Sequence, residues 1–326
     1  MKKKMLFIIS EIELKYFEFN PLVTDFWLIK EFLERGWEVF VSSPYALYIK
    51  NQIPYGKVSL TRVENNDIFY DKNSVETSLN DFDVIFLRPD PPVDIDYINL
   101  CYILNYVNKN KTLILNSPNS ILEKNEKLYV NEFENIAPQN IVTSDFDEIK
   151  KFLKEKGEII IKPLNRCFSS GVFYLKQGDK NTNTIIKTAT NDSKTIVMVQ
   201  EFLPKVVDGD KRVIFIAGEI LDWTVQKVGV DDFKFNTHTD ENFKIAKLTK
   251  EEKTVCSKMA EKLLKDGIVM AGLDVIDGKV IEINITSPCF FIKEINAFHN
   301  INLEKIIVDK LEKFINDNKN QKLNVY

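Results

Sequence analysis

The chain has 326 residues, enough for two or three domains, and its 44% hydrophobic and 28% charged residues are the balance of a soluble globular protein. A net charge of −4 leaves no basic footprint for nucleic acid, and no apolar run approaches the ~18 residues of a membrane span. The scattered cysteines Cys101, Cys167, Cys256 and Cys289 form no CxxC pair, which argues against zinc or a disulfide framework and for a reducing cytoplasm.

The opening "MKKKMLFIIS" has an apolar run too short for a signal peptide and reads as a first, buried β-strand. "TDFWLIKEFLERGWEVFVSS" reads as a helix, capped by Thr24 or Asp25 and closed by Gly36, then a strand from Trp37. "DFDVIFLR" is a buried strand, "DIDYINLCYILNYVNKN" a helix and "KTLILNSP" a short strand. This alternation argues for a parallel α/β sheet up to about Ser120. A new unit begins near Ile121. "SILEKNEKLYVNEF" is expected to be helical, "DEIKKFLKEKG" is a helix closed by Gly157, and "EIIIKPL", "GVFYLK" and "TIVMVQEFL" are strands. From Lys211 strands dominate, with a turn at Ala217–Gly218. "KEEKTVCSKMAEKLLKDG" is a long helix, "MAGLDVIDGKVIEINI" a hairpin turning at Asp277–Gly278, and the tail from Leu303 an amphipathic helix.

The hairpin carries the strongest chemical signal. Asp274 lies on its first strand. Glu282 and Asn284 lie two residues apart on its second and share a face. Oxygen donors gathered this way suit a hard divalent cation; the plain alternative is a pair of solvated acids. Lys162 ends a buried strand before a loop, and Lys127 sits near the expected start of a helix. "QEFLPKVVDGDKRV" leaves a strand in a way that can present backbone groups to a flat base, with Asp210 near a ribose and Arg212 ready for a phosphate or carboxylate. A surface turn describes it equally well. Arg88 and Asp90, in "LRPDPPVD", stand beyond a strand end, where ligands bind in open α/β sheets.

Taken in order, "LRPDPPVD", "LNSPNSILEKNEKLYV", "IIIKPL", "VQEFLPKVVDGDKRV" and "GLDVIDGKVIEINITSP" resemble the bacterial glutathione synthetase branch of the ATP-grasp ligases. The resemblance implies an N-terminal α/β substrate domain at 1–120, an ATP-grasp lobe with the phosphate loop at 121–200 and a second lobe with the metal hairpin and C-terminal helix at 201–326. It implies an ATP-dependent carboxylate–amine ligase working through an acyl phosphate, with γ-glutamylcysteine and glycine as substrates. By the same implication Lys127 and Lys162 contact ATP phosphates, Gln200, Glu201, Phe202 and Leu203 line the adenine pocket and Asp210 lies near the nucleoside. Arg212, Lys162 and Asn284 serve the chemistry, and Asp274, Glu282 and Asn284 hold magnesium, or alternatively manganese. Arg88, Asp90, Lys227, Asn236, Ser287, Pro288 and Lys293 approach the substrates. Family members are commonly oligomeric, so a homo-oligomer is expected.

The chain departs from the family pattern in its lids. After "KPL" the family has an acid and several glycines, where this chain has Asn165, Arg166, Cys167 and Phe168. The flap "QKVGVDDFKFNTHTDENFKIAKL" keeps Asn236 but carries Lys227 and Lys234 in place of arginines, and "TSPCFFIKEINA" has one extra residue and Lys293 for an arginine. Three readings stay open: glutathione synthetase itself, a related ligase with another acid and amine, and a nucleotide-binding homologue with a regulatory role. The chain's only histidines, His238 and His299, give little support to histidine chemistry.

Overall fold

The computed structural model describes residues 2–10, 23–167, 169–228, 243–289 and 291–323, with side chains as far as 318. The first sheet is built from β1 (Lys4–Ile8), β2 (Glu38–Ser42), β3 (Leu47–Lys50), β4 (Ile53–Glu64), β5 (Asp67–Tyr70), β6 (Val75–Ser78), β7 (Val84–Leu87) and β8 (Leu113–Leu115). Strands β2, β1, β7 and β8 are parallel neighbours in that order. Met5 to Ile8 are wholly buried, as a continuous apolar run in a doubly covered parallel sheet requires. Helices α1 (Thr24–Glu34) and α2 (Ile95–Leu104) are its crossovers.

Two expectations for this region are corrected. The sheet is mixed, because β4 pairs antiparallel with β2, β3, β5 and β6. Asn51–Gln52 and Asn65–Asn66 adopt positive φ and close two-residue hairpins, where a parallel connection needs a long crossover. Helix α1 is not capped by Thr24 or Asp25: Val23 is its N-cap residue, without a side-chain cap bond. Asp25 is instead wholly buried and ion-paired to Arg88.

Segment 120–133 is also not one helix. Helix α3 (Pro118–Glu123) ends early, and a 3₁₀ turn follows at Tyr129–Glu132. Asn125 Oδ1 accepts from the Lys127 and Leu128 N–H groups, and this local bond competes with helix continuation. Lys127 therefore stands in an irregular turn.

The second sheet is antiparallel, ordered β11 (Phe173–Lys176), β10 (Glu158–Pro163), β12 (Val197–Glu201), β9 (Asn140–Thr143). Helices α4 (Phe146–Lys156) and α5 (Thr182–Ala189) cover one face through Ile149, Phe152 and Ile186 against Ile159, Ile161 and Val199. Lys162, Met198 and Gln200 lie on the other face.

The third sheet is ordered β16 (Phe243–Lys247), β15 (Trp223–Lys227), β13 (Asp210–Ile216), β17 (Met270–Ile276), β18 (Lys279–Asn284), with β14 (Glu219–Ile220) beside β13. Helix α6 (Lys250–Lys265) begins with a reciprocal Thr249–Glu252 capping box and packs Met259 and Leu263 on Val213, Phe215 and Leu273. Helix α7 (Ile292–His299) and helix α8 (Leu303–Leu323) join the other side. Helix α8 also reaches the first sheet's helix α1: Arg35 contacts Asp309 and Glu312 at 2.7 and 2.9 Å.

Asn116, just past β8, locks the first sheet to the third. Its Oδ1 accepts from the Val269 and Met270 N–H groups at 2.7 and 2.9 Å. Its Nδ2 donates to the Met270 and Ile285 carbonyls, each at 2.7 Å. Asn116→Ala should therefore destabilise the chain by about 3 kcal/mol or more, since each buried group left unpaired costs ~1–3 kcal/mol. Urea unfolding of the two proteins checks this, and a loss under ~1 kcal/mol would contradict the lock.

Candidate active site

One face of the third sheet carries the charge. Asp210 and Arg212 alternate with Lys211 and Val213 on β13, so the first two share a face and the others turn toward α6. Cross-strand register then sets Lys227 beside Asp210, Asp274 beside Arg212, Glu282 beside Asp274 and Asn284 beside Gly272. Lys227 Nζ lies 2.9 Å from Asp210 Oδ2, and Arg212 Nε 2.9 Å from Asp274 Oδ1. Both cations lie about one ring-contact distance from Phe291, at 6.0 and 5.9 Å. Gly272 is what lets Arg212 lie flat: a Cβ there would stand 2.7 Å from Arg212 Nη1 and 3.2 Å from Cδ.

The interdomain turn and the second sheet complete the cluster. Lys127 Nζ lies 3.2 Å from Glu282 Oε1 and donates to the Arg166 carbonyl at 2.7 Å. Asn125 Nδ2 donates to the Leu164 carbonyl at 3.0 Å, so the turn holds both ends of the start of the phosphate loop. Lys162 is buried, and burial pushes its ammonium below the usual range although Glu282, Asp274 and Asp210 pull the other way. Arg166 is exposed, with its side chain beside Gly171; its carbonyl, not its guanidinium, faces the site. Gln200 is buried with its Nε2 unpartnered, and Phe202 packs on Tyr174 with ring centroids 4.8 Å apart. The Glu201 carboxylate is taken by the Gln139 N–H, and Leu203 precedes a 3₁₀ turn.

Burial raises the Asp210 carboxyl to about 6 against the pull of Lys227. Burial acts the same way on Asp274, but Arg212, Lys227 and Asn284 outweigh it and keep that carboxyl below the usual range. Glu126 is raised by burial and by Glu282, although Thr286 and Ile285 donate to it. Nothing in the sequence marked Glu126 except its place next to Lys127. Gly272 and Phe291 were also missed, since their roles rest on contacts across strands.

Arg88 and Asp90 lie at the end of β7, beside the turn that follows β18. Arg88 Nη2 donates to the Pro288 carbonyl at 3.1 Å, and Ser287 donates to Asp90. Lys293 stands half-buried in the first turn of α7, and Asn236 lies outside the described residues. His299 is bonded to the Thr224 carbonyl at 3.0 Å.

The residues fit a hard cation by their donor set. Among the described residues no three carboxylate, imidazole or thiol groups form a cage. Two carboxylates with an amide oxygen, completed by phosphate oxygens, are nevertheless what magnesium takes. Asp274 Oδ1 is buried and makes no geometrically formed hydrogen bond, only the ion pair with Arg212, and Asn284 spends its Nδ2 on Gly272 and Asp274, leaving its carbonyl oxygen as an acceptor.

Residues 7–121 match the family described as prokaryotic glutathione synthetase, N-terminal domain, and residues 126–300 match prokaryotic glutathione synthetase, ATP-grasp domain. The chain belongs to the prokaryotic glutathione synthetase family. It is 32% identical over 292 residues to glutathione synthetase of Buchnera aphidicola, covering 89% of this chain and 91% of that one. It is 37% identical over 237 residues to glutathione synthetase of a Nostoc species, covering 73% of each. The fold is shared with the ATP-grasp ligase PsnB in complex with a minimal precursor, Mg and ADP. The TM-score is 0.60 at 17% identity, over 96% of this chain and 98% of that one.

Within this family scaffold, Gly272→Ala should tilt Arg212 off the sheet and lower turnover by about 10²-fold, the scale of an ångström-sized misplacement. Far-UV circular dichroism should stay near wild type; unchanged turnover would show that Arg212 need not lie flat. A second outcome concerns pH. Between about 4 and 6 folded Asp210 keeps its proton while the unfolded chain has lost it, so this group makes stability fall as pH rises through that window. Comparing melting temperatures of wild type and Asp210→Asn across those pH values isolates the effect, and parallel curves would refute it.

Proposed function

We propose that the protein is a glutathione synthetase that joins γ-glutamylcysteine to glycine at the expense of ATP, releasing ADP and phosphate. The observation that carries the reading is one buried face where Arg212, Asp274, Glu282 and Asn284 meet Lys127 and Lys162, in a chain of this family. On this reading residues 1–120 bring the acid substrate, and 121–200 and 201–326 close on the nucleotide.

A carboxylate is a poor electrophile. The bond from the γ-phosphorus to its bridging oxygen breaks as one to a γ-glutamylcysteine carboxylate oxygen forms, giving an acyl phosphate and ADP. The glycine amine then attacks the acyl carbon, loses a proton and expels phosphate. Phosphoryl transfer depends mainly on positioning and neutralised charge. Lys127 and Lys162 bind phosphate oxygens, and Arg212, held by Asp274 and given room by Gly272, faces the transferred group. Gln200 to Leu203 line the base and Asp210 lies by the ribose. Arg88, Asp90, Lys227 and Lys293 approach the substrates, and Ser287 and Pro288, in the turn after β18, approach the amine. Asp274, Glu282 and Asn284 would hold magnesium, or manganese, which supplies charge neutralisation across the phosphates. No protein nucleophile is required, in keeping with a His299 committed to a backbone carbonyl.

All four cysteines are free, and a cytoplasmic setting is the inference drawn from them. No described helix is long and apolar enough to cross a membrane.

The test is to incubate the protein with ATP, magnesium, γ-glutamylcysteine and glycine and to follow phosphate release and product mass. Turnover only with another acid or amine would replace the substrate assignment. ATP binding without turnover on any acid would favour the regulatory homologue. Glu282→Gln should lower turnover by about 10²–10³-fold, the scale seen when one charge-stabilising group is lost, while far-UV circular dichroism shows the chain still folded. A fully active variant would sink the metal assignment.

A further inference from the structure

The turn after β18 is held, residue by residue, by side chains from the first 126 residues of the chain. Glu126 Oε1 accepts from the Ile285 N–H at 2.7 Å, from the Thr286 N–H at 3.0 Å and from the Thr286 hydroxyl at 2.9 Å. Asn116 donates to the Ile285 carbonyl. Ser287 donates to Asp90, Arg88 donates to the Pro288 carbonyl, and Thr24 donates to the Cys289 thiol. Every residue from Ile285 to Cys289 is thus fixed from outside its own lobe, from as far back in the chain as Thr24.

Arg88 is the member whose orientation is itself fixed. It is buried, and Asp25 Oδ1 accepts from its Nε at 2.7 Å; Asp25 has no exposed surface. A guanidinium is a planar fork, so fixing Nε also fixes the direction of Nη2 and the carbonyl it meets. The carboxylate beside the Arg88 Nε belongs to the protein, and its Nη2 is spent on the Pro288 carbonyl. Such a buried pair is weak evidence for stability in its own right and better evidence for register. The register it sets is that of the Ser287–Cys289 turn against the C-terminal ends of β1 and β7.

We propose that Asp25 is a positioning residue for the amine substrate: by orienting Arg88 it fixes the Pro288 carbonyl and so the turn that receives the amine. The proposal rests on the functional reading above for the identity of that turn's ligand. Asp25 touches no reacting atom. Its loss acts on amine binding and leaves the nucleotide face, built from β10, β12, β13, β17 and β18, in place.

The experiment is steady-state kinetics of Asp25→Asn, which keeps the shape and removes the charge. The KM for glycine should rise about tenfold or more, in line with the cost of misplacing a binding group, while the KM for ATP stays within about twofold of wild type. Equal KM values for glycine in the two proteins would overturn the proposal, as would an equal rise in both KM values, which is what general loosening produces. Arg88→Lys keeps the charge without the fork and should reproduce the split; it also serves if Asp25→Asn does not fold. If the wild-type protein does not use glycine, the functional reading fails separately. Amide hydrogen exchange over 285–289 then decides: faster exchange confined to this turn in the variant upholds the tie, and unchanged exchange removes it.

Discussion

The structure depends on matched burial of opposite charges between its sheets. Lys127, Lys162, Arg212 and Lys227 are buried, facing Glu126, Asp210, Asp274 and Glu282. A single buried ion is expensive, and a pair returns that cost only when geometry is good. Here the geometry comes from strand register. Asp210 opposes Lys227 and Arg212 opposes Asp274 because β13 is central, with β15 on one side and β17 on the other. Shifting either register by one residue would move the whole charged set to the face that packs α6.

That register is itself defended by close approach. Gly209 adopts φ +104, and a Cβ there would stand 2.0 Å from the Lys227 carbonyl oxygen. The start of β13 can pass so near β15 only as glycine. On the far side Gly272 performs a related service for Arg212, with the Pro288 Cβ 3.4 Å from the space a side chain would fill. Backbone, arginine and substrate turn therefore share one tight layer, which ties the electrostatics of the third sheet to the contacts made by the first.

How legible this was in the sequence varies with the range of the interaction. Asp274, Glu282 and Asn284 were readable because the period of two in a hairpin is local. The α4 and α6 helices were readable because Gly157 and Gly267 close them, whereas the Thr249–Glu252 capping box of α6 was missed. The antiparallel strands β3 to β6 were not, because Asn51–Gln52 and Asn65–Asn66 lack the glycine that usually signals such turns. A helix was expected through Lys127, but the Asn125 side chain bonds the backbone instead. Asn116, Glu126 and Asp25 were invisible as site-builders. Their partners lie at the other end of the chain or, for Asp25, 63 residues on, and no local pattern encodes such a meeting.

The same charge balance limits what can enter the site. Lys127 is shared between Glu282 and the Arg166 carbonyl, and Arg212 is held by Asp274. A polyanion alone would satisfy the lysines but bring phosphate oxygens up to two carboxylates. A divalent cation alone would satisfy the carboxylates and leave the lysines buried without partners. Either arrangement concentrates like charge in a medium where it is poorly screened. A nucleoside triphosphate carrying its cation offers both signs at once, and the protein's cations and carboxylates then each exchange one partner for another. The glycine-poor loop is compatible with this exchange. Its tie to Lys127 runs through the Arg166 carbonyl alone, so its grip on that lysine can be released without moving the strands that hold Lys162 and Asp274.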